Sequence, residues 1–588
     1  MFTSENDDSV GEALPWSSGT PSGGVGQCLD AYDDTSDTLS IEHCRFSYSG
    51  ETVFIGQDAT FSDVQFIQCN VCIEPGDNNV SMNNALVSNC GLLTDGIMEL
   101  ECVNCTFDNC AVAADWDAYF YNCIFSDTGA AAADEGYGSD FTLDGSNNGF
   151  YNCPEFGENT FTNTAYPYQA AGAGTYYLAD NTFRNAGTAA LGELSTKTTY
   201  PPIVYSNTTI SVATTFSPQA ARDTNCTDLG YHYDPLDYVF GGVEAQSNIT
   251  FTAGTAVGWF DAWSGAAYGI IEDAGVTVSF NGSVVAPCWL ARYDTVQESG
   301  NGNWTDTGWL SPITCNNPNP YYSPASPQLL MKFTKFSSRN FNDQIRDYSG
   351  NFVVSANDCE FYGGIGGYNI QLNFTNCLFF RYAPAVTYSS YASPSLSMQN
   401  CTIEQGGMNA FTIQHWGGAT WPVSIRDCTF DGTSISMDDY SGGNTNITYC
   451  DFNAFLTNAD RLAMLGAHDV TNVISFNWQS SWFGNFYLPS DSPLIDAGGI
   501  TADKVGLYHF TTQVSQVPEG DSIVDIGYHY VATDAYGNPL DTNGDGIPDY
   551  LEDANGDGIF DAGDLGEWQI SPFGLGGANG LQVFTPLK

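Results

Sequence analysis

The chain has 588 residues, and its 14 lysines and arginines stand against 68 aspartates and glutamates, a formal net charge of −54. Such a surface repels nucleic acid and anionic lipid headgroups and attracts divalent cations, and no apolar run is long enough for a membrane-spanning helix. With 42% hydrophobic and 14% aromatic residues the chain can offset the entropy of ordering, and 62 glycines favour a turn-rich β protein.

Residues 1–27 read as a linker. Met1–Trp16 lacks a basic start and an apolar stretch, so it is not a signal peptide. An extracellular or cell-surface location is expected from composition and from the acidic loops described below.

From residue 28 a short unit recurs: a polar residue (most often Asn or Asp), Cys, any residue, then a large apolar one. It appears at His43–Phe46, Asn104–Phe107 and Asn122–Phe125, with Cys-free copies at Asn159–Phe161 and Asn181–Phe183. The segment 28–233 closes with DLGYHY, Asp228–Tyr233. A second segment is expected over 246–530. It opens on Asn248–Tyr293, where strand-like runs alternate with glycine turns. It carries the unit at Asp358–Phe361, Asn376–Phe379, Asn400–Ile403, Asp427–Phe430 and Tyr449–Phe452. Cys359 to Cys450 are spaced by 18, 24, 27 and 22 residues, periods of a solenoid. DSPLIDAG at Asp491–Gly498 and DIGYHY at Asp525–Tyr530 end it.

Within a unit, Cys and the apolar residue stand at i and i+2, one face of a strand. No unit can bury that face alone. Stacking units in parallel, coil on coil, hides a shared core, and variable spacing becomes loops leaving a constant cross-section. The Asn before Cys fits a ladder of amides bonding along the stack. The pattern resembles the bacterial right-handed parallel β-helix repeat proteins, which share the pectate-lyase superfamily shape. The resemblance implies an all-β solenoid, the duplicated closing motif divides it into two consecutive segments, and a polysaccharide or cell-surface glycan is the expected partner. It says little about activity, because function belongs to sites and not to folds.

The 18 cysteines admit three readings: a buried thiol ladder, disulfides, and zinc. The pairs Cys69/Cys72 and Cys102/Cys105 suggest zinc, but positions i and i+3 of a strand face opposite ways. Most of the others occupy the unit's core position, where Cys acts as a small hydrophobe. Cys28, Cys226, Cys288 and Cys315 lie outside the unit and are the better disulfide candidates.

Near the C-terminus, two loops abut: Asp541–Glu552 and Asp553–Asp564, each fitting D-x-N-x-D-G-x-x-D-x-x-(E/D). Calcium takes six to eight oxygen ligands, and such a loop supplies them at alternate positions. In the first these are Asp541, Asn543, Asp545, the Ile547 carbonyl, Asp549 and Glu552. In the second they are Asp553, Asn555, Asp557, the Ile559 carbonyl, Asp561 and Asp564. The loops resemble thrombospondin type-3 calcium repeats, without that family's cysteines. A helix–loop–helix arrangement is disfavoured because the loops abut. A tail, 565–588, follows.

No catalytic signature emerges. Arg381, Arg426 and Arg461 lie near acids in the second segment, as a lyase would need, but match no pattern. Asp438-Asp439 supplies an acid pair without the companion motifs of a polygalacturonase-like site, and Gly466-Ala467-His468 is not G-H-G. His415, with Trp416 and Trp421, suggests sugar stacking. His232 and His529, at equivalent places in the duplicated closing motif, are read as structural. The leading expectation is a structural or adhesive, glycan-interacting calcium protein. A polysaccharide lyase or glycoside hydrolase acting in the lateral groove of the second segment is the alternative.

Overall fold

The computed structural model describes the chain from Phe2 to Gln569. It leaves out residues 5–17, 32–37, 130–141, 261–266, 299–309, 317–325, 338–344, 347–351, 388–394, 405–410, 416–421, 440–446 and 457–465, and several stretches of one to four residues. Strand pairing decides the architecture. Val353–Asn357, Glu360–Tyr362 and Gly366–Tyr368 each pair in parallel with Gln371–Thr375, Leu378–Phe380 and Ala385–Thr387 of the next coil. Repetition of this step builds three parallel sheets of eleven, nine and nine strands. Near the N-terminus Glu51–Ile55 and Ala59–Ile67 pair in the same way with Val71–Glu74 and Val80–Ser88. The protein is a parallel β-helix built as two stacks.

Each coil turns at a left-handed corner. Asp63, Asn84, Asn104 and Asn122 in the first stack, and Asp358, Asn376, Asn400 and Asp427 in the second, have φ between 50° and 56°. Side chains with a Cβ avoid that region, and Asn and Asp pay least. The residue before Cys is therefore a corner first. The amide ladder exists in part: Asn84 Nδ2 donates to Asp63 Oδ1 at 2.6 Å and Asn376 Nδ2 to Asp358 Oδ1 at 2.8 Å.

Immediately after the corner the Cys turns inward. Cys377 Sγ lies 3.3 Å from the Ala356 carbonyl of the coil below and 3.4 Å from the Thr375 carbonyl. The apolar residue two positions on stacks on its counterpart: Phe361 on Phe379 at 4.9 Å, Phe107 on Phe125 at 5.1 Å, Phe430 on Phe455 at 4.9 Å. Burying each ring stabilises by ~1.5–3 kcal/mol, which no isolated coil could gain. All eighteen cysteines are free thiols. This corrects the disulfide candidates: Cys226 is exposed, Cys28 and Cys315 are half-buried, and Cys288 sits in the second core.

The domain boundaries also differ from expectation. Ile203–Ser206, Thr209–Ile210 and Thr214–Phe216 form the first coil of the second stack. That stack thus begins upstream of the first closing motif and not at residue 246. These early coils carry no Asn-Cys mark, so spacing could not reveal them. After Phe216 the chain leaves the second stack, returns to the first, and rejoins at Tyr238–Gly241.

What the excursion does is visible in its hydrogen bonds. Gly230 N donates to the Asn122 carbonyl, Asn104 Nδ2 to the Asp228 carbonyl, Tyr231 N to Thr106 Oγ1, and Asn84 and His232 bond twice. The closing motif is a strap laid along the stack, one coil after another. The second copy repeats it bond for bond with Asp427, Asn400, Thr402 and Asn376. Gly230 (φ 80°) is required where the strap presses closest: a Cβ there would lie 2.7 Å from Thr106 Oγ1 and Ile124 Cδ1.

The stacks are also joined. After strand Cys288–Arg292 of the second stack, the chain runs across the end of the first strap. The Glu298 carboxylate accepts from Thr175 N and Oγ1 at 2.7 and 2.6 Å and from Tyr233 Oη at 2.7 Å. Gln297 Oε1 accepts from Ala173 N at 3.0 Å, and Arg45 Nη1 donates to the Asp294 carbonyl at 2.7 Å. Hydrogen bonds to a buried charge are worth ~1.5–3 kcal/mol each, and orphaned partners add to the loss. Glu298→Ala is therefore expected to lower stability by about 3 kcal/mol, while the exposed Glu193→Ala changes it by less than about 0.5 kcal/mol. Denaturant melts of the two variants check this. Equal midpoints would contradict the linkage.

Candidate metal centre and lateral groove

Each strap encloses a histidine between acids. His232 Nδ1 faces the Gly230 carbonyl and Nε2 faces Asp223 Oδ2, both at 2.9 Å. Asp223 Oδ2 also accepts from Asp228 N at 2.8 Å, and Asp228 accepts from Asn185 N at 2.7 Å and Thr199 Oγ1 at 2.5 Å. The ligand atoms of Asp223, Asp228 and His232 lie within 4.8 Å of one another, close enough to hold a metal ion. In the fold as it stands the same atoms are engaged in hydrogen bonds that close the strap. The second copy substitutes Glu519 for Asp223. His529 Nε2 lies 3.2 Å from Glu519 Oε1, His529 Nδ1 lies 2.9 Å from the Gly527 carbonyl, and Asp525 accepts from Asp496 N at 2.7 Å and from Thr512 Oγ1. The structural reading of both histidines agrees with this burial.

Both nitrogens of His529 face acceptors, a geometry that favours the doubly protonated ring. Burial pulls its pKa down, but the Glu519 carboxylate outweighs burial and holds it above the ordinary value. Asp525 is pushed up to about 6, by burial first and then by the Glu519 charge. Both groups bind protons more tightly folded than unfolded. The Asp525 contribution is whole below about pH 3.9 and lost as pH rises through 6; the His529 contribution is whole below about pH 6.5 and lost above it. The melting temperature should therefore fall as pH is raised from 4.5 to 8. Scanning calorimetry should show Asp525→Asn with a flatter dependence between pH 4.5 and 6.5, and an unchanged slope would remove Asp525 from the account.

The acidic loops lie against the second stack. In each, the first Asp receives three backbone amides: Asp541 takes Gly544 N at 2.7 Å, Asp545 N at 3.3 Å and Gly546 N at 2.9 Å, and Asp553 takes Gly556 N at 2.9 Å, Asp557 N at 3.3 Å and Gly558 N at 2.6 Å. Asn543 and Asp545 accept from residues two ahead at 2.9 and 2.8 Å, and Asn555 and Asp557 repeat this at 3.1 and 2.8 Å. Glu552 meets the first loop through Asn543 Nδ2, 3.1 Å from both its oxygens. Burial, then the Asp545 charge, raises its pKa.

One expected ligand stands aside. Asp549 is turned onto Thr542, receiving its N at 2.7 Å and its Oγ1 at 2.6 Å. Asp564 receives Ala554 N and Asp561 N at 3.0 and 2.7 Å. The side chains of Ile547 and Ile559 are exposed. One turn of helix, Asp549–Glu552, forms the end of the first loop, and the second follows it directly at Asp553. It is placed by Tyr550, which packs on Phe333 at 5.4 Å and whose Oη accepts from Val284 N at 3.2 Å. Asp553 pairs with buried His509 at 2.9 Å. Among the described residues, only the Asp223 trio brings three acidic or imidazole ligand atoms within 4.8 Å, so the loop carboxylates are held wider apart.

The expected catalytic candidates do not assemble into a described site. His415 and Asp439 are backbone partners in adjacent coils, as are Gln414 and Asp438. Trp416, Trp421, Arg381 and Arg461 lie outside the described residues, as do the side chains of His415, Asp438 and Asp439. Arg426 pairs with buried Asp427 at 3.1 Å, and His468 pairs with Asp451 at 2.7 Å while stacking on Phe452. What sequence reasoning missed is an outward column on consecutive coils, Trp289, Lys335 and Glu360, in register below the end of the second strap. Lys335 Nζ lies 3.2 Å from Glu360 Oε2 and 5.6 Å from the Trp289 ring centre. The adjoining cavity, about 260 Å³, is flanked by Trp482, Tyr528 and Tyr530. Parallel register brings the column together, and no motif marks it.

No family model matches the chain, and no curated protein does. Among solved structures the chain is similar to the PL6 family alginate lyase AlyGC, at 13% identity over 73% of this chain and 80% of that one, with a TM-score of 0.20. A mutant of the same enzyme matches at 12% identity over 71% and 77%, again with a TM-score of 0.20. Likeness at that level carries no functional weight.

Proposed function

We propose that the protein is an extracellular, calcium-stabilised β-helix scaffold with a structural or adhesive role. The observation that carries this reading is the seating of the acidic loops on the second stack, through Tyr550 against Phe333 and Phe510 and through Asp553 on His509. An oxygen-only donor set suits a hard cation. Asp541, Asn543, Asp545 and Glu552 would hold calcium in the first loop, with Asp549 turning in from Thr542. Asp553, Asn555, Asp557 and Asp564 form the second, weaker set, weaker because His509 already occupies Asp553. Bound calcium would supply charge neutralisation among clustered carboxylates and so fasten the loops to the stack.

The described cations support a scaffold over a lyase that binds uronates. Lys197 is held between Asp63 and Asp234 at 3.2 and 2.8 Å, Arg222 lies 2.9 Å from Asp237, and Lys335 and Arg426 have their own acids. A uronate would have to displace those partners.

The test is calorimetric titration of calcium into chelator-treated protein, with melting followed in parallel. Calcium at about a hundred times its dissociation constant should stabilise the fold by ~2.7 kcal/mol, and Asp545→Ala should abolish most of the heat. Absence of both heat and thermal shift would overturn the reading.

A further inference from the structure

We infer that the seam between the two stacks is a binding groove for a neutral oligosaccharide, with Trp289 and Trp482 as its stacking platforms. The inference is independent of calcium binding and gives the glycan-facing role a place and a ligand class.

Three cavities form the groove. The first, about 290 Å³, lies at the foot of the first stack; the second, about 510 Å³, lies between the stacks; the third, about 260 Å³, lies beneath the second strap. They are neighbours: Asp234, Thr295 and Val296 line both the first and the second, and Pro287 lines both the second and the third. The middle cavity alone has the size of a small-molecule site. A row of neighbouring cavities that crosses a junction suits a linear polymer better than a compact ligand.

Both tryptophans are poorly covered. Trp289 is 40% and Trp482 is 56% exposed, among side chains that bury well when a core is available. Trp482 rests one ring face against Gly537, where a Cβ would come within 2.5 Å of it. Its remaining surface borders the third cavity. Trp289 points out of strand Cys288–Arg292 and lines the middle cavity. The apolar C–H faces of a pyranose pack on such rings, and its hydroxyls need paired donors and acceptors nearby. Lys335 and Glu360 supply a donor and an acceptor 3.2 Å apart beside Trp289, and Tyr362 Oη steadies Glu360 at 2.5 Å.

Charge selects among sugars. Each cation lining the groove already faces a carboxylate or a carbonyl: Lys197 faces Asp63 and Asp234, Arg222 faces Asp237, Arg45 faces the Asp294 carbonyl, and Lys335 faces Glu360. With a net charge of −54 behind them, no excess positive potential is left for a polyuronate. The complementary chain is uncharged.

The experiment uses the full chain with calcium present. Neutral hexasaccharides of β-linked glucose, xylose and mannose, and a hexauronate as contrast, are titrated by tryptophan fluorescence and calorimetry. At least one neutral hexasaccharide should bind, and Trp289→Ala and Trp482→Ala should each weaken it tenfold or more without moving the melting temperature. The hexauronate should bind at least tenfold more weakly. The inference is overturned if no neutral sugar binds, if both variants bind as the parent does, or if the hexauronate is preferred. A preserved calcium-dependent thermal shift in the same samples would show that the scaffold reading survives such a failure.

Discussion

Everything in this molecule follows from the fixed rise between coils. Parallel pairing sets neighbouring strands about 4.8 Å apart, so any residue type repeated at one position of the coil becomes a column along the axis. Phenylalanines then stack, thiols point at the carbonyls beneath them, and corner asparagines line up with their amides outward. The strap exploits the last of these columns. Its backbone finds, coil after coil, a side chain or carbonyl at the right height, as with Asn376 and His529. A lateral segment otherwise full of unsatisfied peptide groups is thereby hydrogen-bonded along its length.

The duplication shows which parts of that device are fixed and which are free. The corner residues, the glycine of the strap, the histidine and its acid, and the tyrosine at the end recur in both copies. The surroundings do not. Where the first copy has the ion cluster of Lys197, Asp63 and Asp234, the second places Phe333, Phe510 and Val531 in one apolar cluster with Tyr550. Where charge has given way to hydrophobe, Tyr550 of the acidic loops finds its packing place on the second stack. Glu298 seals the first copy, whereas the matching end of the second opens into the cavity beside Trp482.

The solenoid was legible because Cys and Phe at i and i+2 can share only one face, and because their spacing has a solenoid's period. The boundary between stacks was not legible. The coil from Ile203 to Phe216 is held by ordinary β-branched and aromatic residues with no marker, and the sequence crosses between stacks. The turns of the acidic loops were readable, since Asp, Asn and Gly at those spacings set local turns such as those at Asp541 and Asp553. The turning of Asp549 onto Thr542 was not, being a choice between two close partners. The column of Trp289, Lys335 and Glu360 could not be read at all: its members stand 46 and 25 residues apart in sequence, and only register makes them neighbours.

The path of the chain between the stacks bears on how the protein is made. The strap that covers the first stack is not synthesised until the first coil of the second exists, and its end is not sealed until Glu298 has emerged. On a ribosome, which delivers the N-terminal part first, the end of the first strap must wait unsealed while some seventy residues are laid down (Asp228 to Glu298). The two stacks are therefore one assembly event, and a nascent chain halted between them would expose the row of corner asparagines that the strap is meant to hide.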